Sequence, residues 1–298
     1  MKYHNPVLLE ECIAGLNIKP NGIYVDTTFG GGGHSKLILE NLNHGKLFAF
    51  DKDRAVENNI LKHKSFKLIY ADFRYIKNFL RTEGITKIDG LLADLGVSSN
   101  QIDEQNRGFS IRFNGNLDMR MNQSSLISAK HVINEYCEKD LSNIFFQYGE
   151  LKNSKIVAKR IVESRKDKPI LTTNDLVRVV SGLSHPKNKN KFLARVFQSI
   201  RIEVNDEISA LKEMLNCAVD LLDLGGRIVV LSYHSLEDRL VKNLFKKGNL
   251  EGNICKDFFG NSDLKLKEIN KKVIVANNQE ISRNSRARSV RLRIAEKI

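Results

Sequence analysis

The chain has 298 residues, 41% hydrophobic and 28% charged, with only four prolines, which supplies a globular core and excludes wholesale disorder. No apolar run approaches the roughly 18 residues of a membrane span, and the opening MKYHNPVLLEEC lacks the apolar stretch of a secretory signal, so a cytoplasmic protein is expected. The net charge of +13 points to a polyanionic partner rather than to an acidic or membrane-embedded protein.

Short apolar runs alternate with helical stretches through the first hundred residues. Residues 23–26 form a predicted strand that runs into the glycines at 30–33, and residues 35–42 read as a helix. Residues 46–51 (KLFAFD), 67–71 (KLIYA) and 88–94 (IDGLLAD) are three further predicted strands. Strands separated by helical segments imply right-handed βαβ units and a parallel sheet. The rhythm then stops. Residues 104–200 hold no convincing strand and read as short helices broken at Pro169 and at His185 and Pro186. After Val204 a helix of about 20 residues is expected to end at Gly225 and Gly226. Residues 227–232 form a fifth strand, 236–246 a helix, and 272–276 and 289–295 two final strands. The expected architecture is a doubly wound, Rossmann-like α/β domain made of 1–103 and 204–298, with an all-helical insert at 104–203.

Four cysteines, Cys12, Cys137, Cys217 and Cys255, are scattered without a CxxC pair, as expected of reduced thiols rather than disulfides or a zinc site. Charge is less evenly spread. Residues 151–201 hold 13 Lys and Arg against 3 Asp and Glu, and residues 281–298 hold 6 against 1, so the rest of the chain is close to neutral. Concentrated surplus of this kind is the electrostatic footprint of nucleic-acid binding.

The candidate site residues cluster at predicted strand ends. Glycines at 30–33 after the first strand let a ligand approach the backbone beside a helix N-terminus. Ser35 stands where the third glycine of a dinucleotide fingerprint would be, and no GK[ST] follows, which argues against a dehydrogenase and a P-loop. Asp51 ends the second strand, where a carboxylate accepts both hydroxyls of a ribose; the competing reading is a helix cap, with Asp53 nearby. Asp72 and Phe73 follow the third strand, where a carboxylate and a ring flank an adenine, although Phe73 also suits a core position. An adenosine without pyrophosphate fits this set, and S-adenosylmethionine is such a molecule.

Asp94 ends the fourth strand, placed either to accept the N–H bonds of an exocyclic amine or to hold the methionine end of the cofactor. A base-amine methyltransferase often carries prolines and an aromatic there, and this chain does not. Residues 232–239 (SYHSLEDR) put His234 at the same sheet edge, with Ser235 and Asp238 also spaced as a helix cap. Asp118 and Arg120 either reach the site or pair with each other.

Several stretches together resemble one family closely, the bacterial small-subunit ribosomal RNA N4-cytidine methyltransferases of the MraW type. They are HNPVLLEE (4–11), DTTFGGGGHS (26–35), DLGVSSNQID (94–103), RGFS and LDMRM (107–121), ARVFQSIRIEVNDEI (194–208), GGRIVVLSYHSLEDRLVK (225–242) and NSRARSVRLRIAE (284–296). Asn116 stands where proline is usual, and Ser199 where alanine is usual. The resemblance implies an S-adenosylmethionine-dependent methyltransferase sheet with a helical, RNA-recognising insert. It also implies methyl transfer to N4 of a cytidine in the decoding region of 16S rRNA, within the small ribosomal subunit. Carried over by position, the cofactor contacts are Gly32, Gly33, His34, Asp51, Phe73, Asp94 and Gln101, and the catalytic candidates are Asp94, Asp118 and His234. No metal is implied. The residues by themselves reach only an adenosyl-cofactor enzyme acting on nucleic acid. A DNA or protein methyltransferase stays open on residue chemistry, as does a non-catalytic RNA-binding factor, against which the full cofactor set argues.

Overall fold

A computed structural model describes residues 6–253 and 264–298; Cys255 and the first two residues of the HNPVLLEE stretch lie outside these. The chain divides into two compact units, residues 1–96 with 208–298, and residues 97–207.

The first unit opens with α1 (Leu9–Leu16), then β1 (Ile23–Asp26), α2 (Gly33–Glu40), β2 (Lys46–Asp51), β3 (Phe66–Tyr70), α3 (Ile76–Thr82) and β4 (Ile88–Asp94). The intervening unit holds α4 (Ser99–Asp103), α5 (Ala129–Glu135), α6 (Glu138–Gln147), α7 (Ser154–Asp167), α8 (Thr173–Val180) and α9 (Lys189–Asn205). The chain returns through α10 (Glu207–Leu221), β5 (Leu222–Ser232), α11 (Ser235–Lys247), β6 (Leu266–Glu268), α12 (Asn278–Arg283) and β7 (Arg291–Lys297).

Seven strands make one sheet in the order β3-β2-β1-β4-β5-β7-β6. The first five are parallel, while β7 runs antiparallel between β5 and β6. Strand order reverses between β1 and β4, the switch point at which open α/β sheets bind ligands beyond their carboxyl ends. The sheet is therefore doubly wound and Rossmann-like. Its strands are apolar on both faces because helices cover both. Leu91 and Ala93 of β4 and Ile228 and Val230 of β5 pack into one core. Their alternate neighbours Leu92, Val229 and Leu231 pack into the other. That alternation is the period of two expected of a strand.

The helix expected after Val204 is α10, which starts at Glu207 once Asp206, in a left-handed conformation, has ended α9. Two expectations about elements are corrected. Gly225 and Gly226 do not terminate α10, which stops at Leu221. They lie in an irregular stretch of β5, where pairing with β4 jumps from Leu222 opposite Ile88 to Arg227 opposite Gly90. Gly225 has φ +74°, which suits glycine and lets the strand loop out before resuming. Residues 272–276 contribute a single bridge, Ile274 to Leu292, and the penultimate strand is β6 instead.

The intervening unit has no strand among its described residues and packs around its own core, which includes Phe145, Ile161, Leu176, Val196 and Ile200. Its boundaries at 97 and 207 sit a few residues outside the 104–203 read from the sequence. The short helix α4, capped by Ser98, and the last turn of α9 account for the difference.

Candidate functional site

The carboxyl ends of β1, β2, β4 and β5 bring together most of the sequence-predicted residues. Asp26, at the end of β1, is buried and organises the turn that follows. One of its oxygens accepts from the Ser35 hydroxyl at 2.6 Å and the other from the Thr28 amide at 3.0 Å. Thr28 in turn accepts from the Asp94 amide at 2.7 Å, and Thr27 donates to the Leu92 carbonyl at 3.1 Å. The β1 turn is thus fastened to β4 before any ligand is present.

Within the glycine loop the four residues have different reasons to be glycine. Gly30 and Gly32 have positive φ, at +49° and +75°. Gly33 packs on the Pro6 ring, where a Cβ would collide. Gly31 has neither reason, since its φ is unexceptional and a Cβ would meet nothing within 4 Å. The fold leaves a strip of backbone open at that point, as close approach of a ligand requires. Sequence reasoning carried over Gly32 and Gly33; the glycine without a folding role is Gly31.

Asp51 does not cap a helix. Its Oδ2 accepts from the Gly30 amide at 2.9 Å and its Oδ1 from the Asp53 amide at 2.8 Å. The cap is Asp53, which accepts from the Ala55 amide. Burial pushes the Asp51 carboxyl up to about 6, against the pull of those two amides. Each oxygen keeps a lone pair for a further donor, so the loop and the acid form one bracket.

Asp94 accepts from the Tyr233 hydroxyl at 2.7 Å through Oδ1, and its Oδ2 lies 3.9 Å from His34 Nδ1. His34 is buried and its Nε2 is 3.1 Å from the Val7 carbonyl. A carbonyl only accepts, so Nε2 carries a proton. Burial raises the Asp94 carboxyl, with His34 and Tyr233 opposing that rise and the Asp26 and Glu237 charges adding to it. Tyr233 is itself held well above the usual tyrosine value by burial and then by Asp94. The fully buried Cys12 is raised by burial first and by Asp94 next, which keeps it an inert thiol. Tyr233 was missed as a site residue. Its signal was positional, because it follows a strand parallel to β4 and so emerges at the same edge.

Asp72 accepts from the Arg74 amide and forms ion pairs with Lys52 and Arg74. Phe73 is half-buried and packs against the sheet core. His234, rather than Ser235, caps α11. Its Nδ1 accepts from the Glu237 amide at 3.4 Å, and Glu237 accepts from the Tyr233 amide at 2.9 Å. The capping box sits one residue earlier than Ser235 and Asp238, which leaves Asp238 to bind Arg291 at 2.8 Å and Arg293 at 2.7 Å. Part of the basic surplus at 281–298 is neutralised there.

Two expected site residues belong to the intervening unit. Gln101 is buried, and its side chain closes the α4 capping box by accepting from the Ser98 amide at 2.9 Å. Asp118 takes Arg120 in a two-pronged pair, at 2.9 and 2.7 Å, the second of the two arrangements its sequence allowed. Burial would raise the Asp118 carboxyl, but the Arg120 hydrogen bonds outweigh it and hold the group below the usual range.

Asp26, Asp51 and Asp94 are all raised, and none has a lysine or arginine partner among the described residues. Buried carboxylates without a cation suit a ligand that brings one, together with hydroxyls for Asp51. S-adenosylmethionine carries a sulfonium, an ammonium and a ribose diol, and the residues present fit it.

The profile of the MraW methylase family matches residues 1–298. The chain is 53% identical over 296 residues to a ribosomal RNA small subunit methyltransferase H of Phocaeicola vulgatus, covering 99% of this chain and 97% of that protein. It is 54% identical over 299 residues to the protein of the same name from Flavobacterium johnsoniae, covering 100% and 99%. Among solved structures, an rRNA methylase from Streptococcus thermophilus is similar at 12% identity and a TM-score of 0.41, over 97% of this chain and 93% of that one. Among the described residues, no helix is long and apolar enough to cross a membrane.

Proposed function

The chain belongs to the MraW methylase family, and from that premise we propose that it transfers a methyl group from S-adenosylmethionine to the exocyclic N4 of a cytidine in the decoding region of 16S rRNA, in the cytoplasm. The observation that carries the cofactor reading is the set of three raised carboxylates, Asp26, Asp51 and Asp94, which end adjacent parallel strands and have no lysine or arginine partner among the described residues. The rRNA reading is supported by relatives at about half identity whose names state that activity.

When bound, S-adenosylmethionine supplies an electrophilic methyl on sulfur. Asp51 and the open backbone at Gly31 hold the adenosine end, with Phe73 beside the base and His34, Gly32 and Gly33 lining the loop. Asp94 accepts an N–H of the cytidine amine, drawing the nitrogen lone pair out of the ring toward the methyl. Methylation leaves the nitrogen with one proton too many, and a carboxylate whose proton affinity is raised by burial is suited to take it. Tyr233 fixes which oxygen of Asp94 is free by occupying the other. Gln101 is assigned to the cofactor, and His234 and Asp118 to substrate handling, His234 by setting the start of α11 and Asp118 by holding Arg120.

The test is incubation of the purified chain with methyl-labelled S-adenosylmethionine and small ribosomal subunits that lack the modification. Nucleoside mass spectrometry is expected to find N4-methylcytidine in the rRNA. Label at carbon 5 of cytosine, or label only in DNA or protein, would overturn the reading.

A further inference from the structure

The intervening unit contains a pocket of about 330 Å³ that none of the roles above uses. Its lining includes Lys191 and Arg195 of α9, together with Leu183, Ser184, His185 and Phe192, and it includes no carboxylate. Lys191 and Arg195 are four residues apart and so share a face of the helix. Lys191 is exposed and Arg195 half-buried, and neither has a hydrogen bond or ion pair among the described residues. Three other arginines of this unit are occupied within the fold: Arg120 by Asp118, Arg165 by two carbonyls, and Arg201 by Glu207. The Ser184 hydroxyl is buried with no hydrogen-bond partner, an arrangement that costs free energy unless something else supplies one. Asn153 donates to the Leu183 carbonyl at 3.0 Å and so fixes the backbone just before that serine. The pocket also lies at the start of α9, where the helix dipole favours negative charge.

Two unpaired cations, an orphaned hydroxyl and no acid describe a site for a phosphate, and the planar fork of arginine matches phosphate oxygens. The volume exceeds one phosphate and leaves room for an attached sugar or base against Leu183 and Phe192. We propose that this pocket binds one phosphoryl group of a nucleotide through Arg195, Lys191 and Ser184. The inference rests on the rRNA reading for its source, an internucleotide phosphate of a single-stranded segment, while a free nucleotide offers the same chemistry.

The experiment titrates the full chain with a short labelled single-stranded RNA, with AMP and with inorganic phosphate, over a range of salt concentrations. The K191Q/R195Q variant is expected to lose roughly tenfold in RNA affinity, and its log–log salt slope should fall by about 0.7 per contact removed. S184A is expected to lose affinity several-fold while its thermal stability stays level or rises, because its hydroxyl has no partner to lose. Cofactor affinity should be unchanged in all of them. Lys191 is exposed, so K191Q alone carries the test if Arg195→Gln does not fold. RNA binding by wild type with unchanged affinity and slope in the variants overturns the pocket and leaves the rRNA reading standing. Variant-sensitive binding of AMP or phosphate, with no RNA binding by wild type, supports the pocket with a free nucleotide as its source and counts against the rRNA reading.

Discussion

Two sets of acids, three at strand ends of the sheet and two in the helical unit, are held in opposite ways. At the sheet edge Asp26, Asp51 and Asp94 sit at strand ends with amide and hydroxyl donors but no lysine or arginine, and their carboxyls are all raised by burial. In the helical unit Asp118 and Asp175 are held below the usual range. Arg120 hydrogen bonds outweigh burial at Asp118, while Thr172 leads at Asp175 and burial opposes it. Asn205 likewise closes its own network, donating to the Met119 carbonyl at 2.7 Å and accepting from the Met121 amide at 2.8 Å. The acids of the helical unit pair with a cation or close a cap within the fold, whereas those at the strand ends have, among the described residues, only neutral donors and, at Asp94, a histidine nearby.

The largest effect expected from breaking that contrast is at Asp94. Asp94→Ala should lower single-turnover methyl transfer by more than about a hundredfold while cofactor affinity stays within a few-fold. Turnover and affinity measured on the same variant check this. A parallel fall in both would move Asp94 to the methionine end of the cofactor.

Next in size is Asp51. Removing an ionised acceptor for two hydroxyls costs about 1.5–3 kcal/mol, so Asp51→Ala should weaken S-adenosylmethionine binding roughly ten- to a hundredfold by calorimetry. Unchanged affinity in the folded variant would end the ribose assignment. The same acid gives binding a pH dependence. The ribose needs the charged form, and the carboxyl titrates at about 6 in the free protein. Affinity should therefore be level above that pH and fall below it, by no more than about tenfold per unit. Asp51→Asn should remove the dependence, and a wild-type profile flat from pH 7 to 5 would contradict it.

Stability sharpens the comparison further, because the two kinds of acid have opposite signs. Asp118 is lowered in the fold, so its contribution is present above an unfolded value of about 4 and is lost as pH falls through the lower folded value. Asp118→Asn should cost roughly 1–2 kcal/mol at neutral pH, and its denaturation midpoint should converge on wild type in acid. Asp51 is raised, so folding favours its protonated form. Its effect is most favourable below about 4 and declines as pH rises to about 6. Asp51→Asn should thus gain on wild type in denaturation midpoint between those values. Parallel pH profiles for the two asparagine variants would show that the acids are not opposed.

The smallest effect is expected at Lys187, an exposed residue that does not line the helical pocket. Lys187→Gln should change RNA affinity by less than about twofold, as isolated surface charges do. A loss equal to that of K191Q would spread the contact along the whole basic run.

Much of this was legible in the chain. The parallel strands β1, β2 and β4 were recoverable to the residue, because a buried strand is a short apolar run and each ends on an aspartate before a turn. Asp51 and Asp94 were noticed for the same reason, since acids at strand ends need no knowledge of partners, but Asp26, which ends β1 in the same way, was not singled out. The α10–β5 junction was not. A glycine pair reads as a helix stop locally, and only pairing with β4 turns it into a looped-out part of a strand. The β6 strand and the bridge at Ile274 were misassigned because edge pairing depends on what β7 offers across space rather than on local pattern.

By itself, then, the sequence determined which residue types end each strand, the alternation that makes the sheet two-faced, the helical character of 104–203 and the placement of excess positive charge. These are local or compositional properties, set by side-chain chemistry and periodicity within a few residues. Tertiary structure alone decided that Tyr233 grips Asp94, that Asp51 is tied to Gly30, that Asp118 and Arg120 close on each other, and that Lys191 and Arg195 share a pocket with the Ser184 hydroxyl. Most of these contacts join residues far apart in the chain, and even the local Asp118–Arg120 pair had an alternative that local pattern did not exclude. Whether a buried polar group is satisfied is a property of the packed arrangement, which no stretch of a few residues determines.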